Sequence, residues 1–139
     1  MRLPAAAKAV VVHDLGQAES ALALAAAIGR PIAVWSPPGA AARAGVGWFA
    51  ALSRLAAAAE PAAKSIFVLD CADRADLVQE AFREGLSDAC FTGRPAVAVR
   101  LADIARKSRA RLHRRRPRAL DLAGLADIEA GLRDFLGGN

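Results

Sequence analysis

The chain has 139 residues, two cysteines and a formal net charge of +5. That length suits one domain able to bury roughly two-thirds of its unfolded surface. No apolar run reaches the ~18 residues of a membrane span, and two cysteines make no disulfide framework, so both are expected reduced.

Four βα units follow one another from the start. The first expected strand, 9–13, turns at Asp14 into a helix reaching about Ile28, where Gly29 stops it ahead of Pro31. The second, 32–36, ends in Ser36-Pro37-Pro38-Gly39, which continues neither strand nor helix. A short helical turn within 40–47 precedes a helix from about Trp48 to Glu60, with Trp48, Leu52 and Leu55 on one face. The third strand, 66–70, ends at Asp70-Cys71, and Asp73 is the expected N-cap of a helix carrying Leu77, Val78, Ala81 and Phe82, closed by Gly85. The fourth, 89–92, ends at Thr92-Gly93, and Pro95 opens a helix with Val97, Val99, Leu101 and Ile104. The pattern predicts an α/β fold with a small parallel sheet, in half-barrel or flavodoxin-like strand order, because parallel neighbours need long crossovers.

Charge is uneven. Residues 106–118 hold eight of the nineteen basic side chains and no acid, leaving 11 basic against 14 acidic elsewhere, a net of −3. The expected organisation is a βα domain over 1–107, a basic linker over 108–118 and a C-terminal helix over 119–139. Leu122, Leu125, Ile128, Leu132, Phe135 and Leu136 recur there at helical spacing, so this helix docks on its own sheet or on a second subunit. A homodimer is the expectation. Alanine is about a quarter of the chain and favours helix.

The stretch Glu84–Ala105 resembles a terminal βα unit of phosphate-binding (βα)8 barrels. A helix ends at Gly85, a short strand covers 89–92, and Gly93 precedes a helix starting near Pro95. The resemblance implies a phosphate held by the first N–H groups of that helix, although four units stand here in place of eight. Asp14, Asp70 and Arg94-Pro95 are similar to the strand-end positions of response-regulator receiver domains. Those domains carry paired acids after the first strand and a lysine at the last position, where this chain has His13-Asp14 and Arg94. That resemblance implies a degenerate regulatory domain.

Candidate sites gather at the strand ends. His13, Asp14 and Asp70 are the acid/base candidates, close together if the first and third strands are neighbours. Thr92, Gly93 and Arg94 form the anion candidate, where a helix N-terminus and a guanidinium favour phosphate or carboxylate. Ser36 and Gly39 make a second loop toward the same ligand. Arg114, Arg115 and Arg116 are the nucleic-acid candidates, yet stacking aromatics are missing and Pro117 interrupts the run, so a solvated linker is expected. Cys71, beside Asp70 and Asp73, is poorly placed as a thiolate. No zinc spacing, glycine-flanked serine or cofactor motif occurs, and no metal or cofactor is expected. A leader peptide is not expected in Met1–Ala7, which makes the cytoplasm the expected compartment. The leading functional expectation is a small soluble α/β protein binding a small anionic ligand at its strand ends, with enzymatic activity left open. The alternatives are a scaffold or nucleic-acid module acting through 106–118 and the receiver-like domain.

Overall fold

A computed structural model describes residues 7–138. Met1–Ala6, part of the stretch where no leader was expected, lie outside the described residues, as does Asn139. Six strands, β1 (Lys8–Val11), β2 (Ile32–Trp35), β3 (Ser65–Asp70), β4 (Asp88–Cys90), β5 (Arg111–His113) and β6 (Ala119–Asp121), form one parallel sheet in the order β5-β4-β3-β2-β1-β6. Six helices accompany them: α1 (Leu15–Ile28), α2 (Ala40–Arg43), α3 (Val46–Ala59), α4 (Ala75–Arg83), α5 (Pro95–Lys107) and α6 (Ile128–Gly137). The α/β class and the C-terminal helix are as expected. Flavodoxin-like order is not: β2 lies between β1 and β3, so the first and third strands are not neighbours. The sheet also has two strands more than the four expected. β5 falls inside the segment read as a linker, and β6 inside the segment read as helix alone.

The chain forms two compact units. The first comprises the residues up to Trp35, Leu52–Ile66 and those from Arg118 on. In it β1 pairs with β2 on one side and with β6 on the other, Val11 standing opposite both Trp35 and Asp121. All four residues of β2 are buried, as befits a strand covered on both faces. Asp14 caps α1 by accepting the Gln17 N–H at 2.8 Å. Gly29, at φ 67°, ends it, with the Arg30 N–H reaching the Ala25 oxygen at 3.0 Å. Helix α6 packs on α1, burying Leu132 and Leu136 against the chain itself. Lys8 closes the end of α6: its Nζ donates to the oxygens of Phe135 (2.6 Å) and Gly138 (2.9 Å).

The second unit comprises Ser36–Ala51 and Phe67–Pro117. Its strands pair β3 to β4 and β4 to β5, with Asp70 opposite Cys90 and Cys90 opposite His113. Phe49 and Phe67 meet edge to face at 6.2 Å in its core. Arg74, not Asp73, occupies the N-cap position of α4 and makes no side-chain cap bond, so the first turn relies on Asp76, which pairs with Arg74 at 2.9 Å.

The apolar faces of α3 and α5 hold Leu52 and Leu101 as expected but leave out one expected residue each. Leu55 and Val99 are 51% and 71% exposed, while Ala56, Ala98 and Ala105 are buried. Alanine lets a helix approach its neighbours closely, so the packed stripe follows small residues where volume alone would have chosen large ones. Among the described residues no helix is long and apolar enough to cross a membrane.

Cys71 and Cys90 are both buried and unpaired by disulfide. Burial, reinforced by the nearby Asp70 carboxylate, pushes the Cys71 thiol up to about 12 and that of Cys90 to about 11. Both thiols should therefore resist a thiol reagent in the folded protein at pH 8 and react fully in guanidinium. A folded-state value raised above the unfolded one gives stability that is complete below pH 9 and declines as pH rises toward 12. Urea midpoints should fall over that window, and less steeply in Cys71→Ala.

Candidate functional site

In the second unit the strands finish level with one another, and the ladder runs on past their ends. The Ser36 N–H donates to the Val68 oxygen (3.0 Å), Cys71 to Cys90 (2.9 Å), Phe91 to His113 (2.9 Å) and Thr92 to Ala72 (2.8 Å). Asp70, the last residue of β3, is only 3% exposed. Its Oδ2 accepts Arg116 Nη1 at 2.8 Å and its Oδ1 accepts the Ala72 N–H at 2.8 Å. Its own N–H donates to Ser36 Oγ at 2.9 Å, while Arg116 Nη2 donates to the Ser36 oxygen at 3.0 Å. One guanidinium thus ties the end of β3 to the residue that follows β2. Ala72 takes φ 52°, the left-handed region an alanine avoids at about 1–2 kcal/mol, and the Asp70 side chain holds it there.

Arg114 serves the end of β4 in the same way. Its guanidinium donates to the main-chain oxygens of Phe91 and Gly93 and lies 5.6 Å from the Phe91 ring centre. Gly93 is required by that ring: a Cβ there would stand 2.5 Å from Phe91 Cζ. Next in the chain, Arg94 occupies the N-cap position of α5 with no side-chain cap bond, Pro95 takes the first helical position, and the first turn carries no acid. Thr92 and Arg94 are exposed.

His113 Nε2 lies 2.7 Å from Asp88 Oδ2, and Asp88 Oδ1 also accepts Ser87 Oγ at 2.7 Å, which fastens β5 to β4 by side chains as well as main chain. In the first unit His13 Nε2 lies 2.7 Å from Asp121 Oδ1.

Each member of the expected acid/base trio has a partner of its own. His13 pairs with Asp121 and Asp14 caps α1, both in the first unit, whereas Asp70 is held by Arg116 in the second. Ser36 is fully buried and its hydroxyl bonds are internal, to the Asp70 N–H and the Pro37 oxygen. Gly39 is a turn residue at φ 65° opening the four-residue α2. Thr92, Gly93 and Arg94 follow one another in the turn between β4 and α5. Asp121, Asp88 and the anchoring role of Arg116 were not foreseen. One sequence signal was present: Leu69-Asp70 and Leu120-Asp121 both close an apolar run with aspartate. Among the described residues every buried side-chain nitrogen and oxygen has a partner, and no three His, Cys, Asp or Glu side chains gather as a metal-binding group. Compared with protein-family models and with curated proteins, the chain matches none.

Removing one member of a buried pair leaves the other charge unmatched, at about 3–5 kcal/mol. Arg116→Ala should lose that much in urea unfolding, and Asp70→Ala combined with Arg116→Ala less than the two single losses together. Gly93→Ala should cost about 1–3 kcal/mol through its clash with Phe91, recovered in part by Phe91→Leu.

Proposed function

We propose that the second unit binds a small anionic ligand, carrying a phosphate or carboxylate group, where β4 runs into α5. The observation that carries this reading is the start of α5. A helix of this length ordinarily begins with Ser, Thr, Asp or Asn, whose oxygen accepts a first-turn N–H. Here the position is filled by Arg94, which cannot accept, and no acid stands in the first turn. An external oxyanion supplies what the sequence omits, and the macrodipole, Arg94 and the nearby Arg114 favour its charge. Asp70 does not oppose it, since Arg116 already balances that carboxylate. The exposed Thr92 hydroxyl adds a donor at the same turn.

The alternative through 106–118 has less to support it. Arg106 and Lys107 pair with Asp103, Arg114 is turned onto main-chain oxygens, and Arg116 is held by Asp70. Half of the eight basic side chains are engaged within the chain, so few remain to displace counterions from a nucleic acid. The receiver-like alternative requires β1 beside β3, which the strand order does not provide. The expected homodimer keeps part of its reason: Leu132 and Leu136 of the C-terminal stripe are buried within the chain, while Leu125, Ile128 and Phe135 are half-buried. Sedimentation at tens of micromolar decides it.

Titration with inorganic phosphate and with a small dicarboxylate, followed by amide NMR, should shift Gly93, Arg94 and Ala96 selectively, with affinity falling as salt rises. Arg94→Ala should weaken binding by roughly tenfold or more, the worth of one charge-assisted contact. An unchanged affinity in Arg94→Ala, or shifts confined to 106–118, overturns the reading.

A further inference from the structure

Helices α1 and α6 pack together within the first unit, and their surface keeps a cavity of about 320 Å³. The floor comes from α1. Ser20, Ala23, Leu24 and Ala27 stand at i, i+3, i+4 and i+7, one face of that helix over two turns. The wall comes from α6, where Glu129 and Arg133 lie one turn apart and pair with each other at 3.1 Å. At ~30 Å³ for each water of the liquid, the space holds roughly ten waters, so it is a groove with room for side chains and not a packing fault.

Three features narrow what fits it. Most of the floor is Ser and Ala, so the main chain of α1 lies near the surface there. A second helix can approach it at the short end of the ~8–10 Å range of interaxial distances. The wall offers one carboxylate and one guanidinium, both largely exposed, in an i,i+4 contact of the kind that adds little to a helix. A partner that engages both must carry a base and an acid one turn apart, in reversed order. α6 itself meets that requirement when it runs antiparallel. A two-fold axis between Glu129 and Arg133 sets each guanidinium opposite the carboxylate of the other copy. The C-terminal stripe also keeps apolar surface, since Leu125, Ile128 and Phe135 stay half-buried after Leu132 and Leu136 have docked.

We propose that this groove is the interface with a second copy of the chain, α6 of each copy lying over the α1 floor of the other. The four helices then form an antiparallel bundle about the axis. Arg133 exchanges its own Glu129 for Glu129 of the partner subunit. The aliphatic stems of these side chains cover Ala23 and Ala27, and their charged ends stay at the rim. One patch serves both copies, so the assembly closes at two chains and cannot extend into a filament. The patch is about 21 Å long, the length of α1, and about 20 Å wide, two helix diameters. That falls short of the ~800 Å² per partner of a standard interface, so dimer and monomer exchange at micromolar concentrations. The interface lies in the first unit, so its fate is independent of the anion reading.

Sedimentation velocity of the full-length protein, from about 1 to about 300 µM, should show a monomer giving way to a dimer and to nothing larger. Glu129→Arg makes the wall wholly basic and Arg133→Glu makes it wholly acidic. Each alone should raise the dissociation constant by about tenfold or more through like-charge contacts across the axis. Mixed in equal amounts, the two variants should dimerise with each other. Glu129→Arg combined with Arg133→Glu should regain the constant of the parent. Urea midpoints, measured where the chain is monomeric, should match the parent in every variant, which separates a lost interface from a lost fold. A parent that stays monomeric throughout, single variants that dimerise as the parent does, or a mixture that forms no mixed dimer overturns the proposal. So does a small molecule retained by the monomer in native mass spectra and released in Ala27→Trp.

Discussion

Asp70 closes an apolar strand, and its carboxylate has lost nearly all contact with water. An isolated charge in that position is untenable, so the guanidinium of Arg116, 46 residues on, must be present whenever the strand end is formed. The energetic return on such a pair is close to nothing, because two desolvation costs stand against one attraction. What the pair provides is position. Arg116 carries with it the segment after β5, fixes the residue after β2 through the Ser36 oxygen, and leaves Asp70 Oδ1 to hold Ala72 in its left-handed conformation. The turn after β3 and the position of Arg116 are both tied to that one carboxylate.

The first unit handles charge differently. Its ionic contacts lie at the surface: Lys8 on the carbonyls ending α6, Asp14 on α1, His13 on Asp121. Beneath them the core is mostly aliphatic, with Val10, Val12, Leu22, Ile32, Val34, Leu122, Leu132 and Leu136 almost wholly buried beside Trp35. A core of that kind tolerates loss of any one surface contact. The second unit, with a buried carboxylate in its strand-end turn, does not.

Long apolar runs followed by turn residues made β1 to β4 legible, and Gly29, Gly85 and Pro95 marked helix ends where the structure has them. β5 and β6 were illegible for a physical reason. Each is three residues long, and Arg111-Leu112-His113 offers one apolar side chain and no alternation to detect. Their strand character comes from pairing with β4 and β1, a tertiary effect. Helix faces were misread where alanine took the buried positions, since periodicity judged by size follows Leu55 and Val99 outward. The turn at Thr92-Gly93-Arg94 was readable because βα turns are local. Asp70 with Arg116 and His13 with Asp121 were not, because nothing near an ion pair's first member names the second.

The pairing of β1 with β6 has a consequence for how the protein is made. β1 is made long before β6, so one side of β1 has no strand partner until synthesis has passed Asp121. Lys8 waits still longer, since its acceptors are Phe135 and Gly138. Until β6 is made, the strand Lys8-Ala9-Val10-Val11 offers an apolar edge to any other nascent chain. The second unit, whose strands pair within residues 67–117, completes its ladder earlier. β1 is therefore the strand of the sheet that waits longest for its second partner.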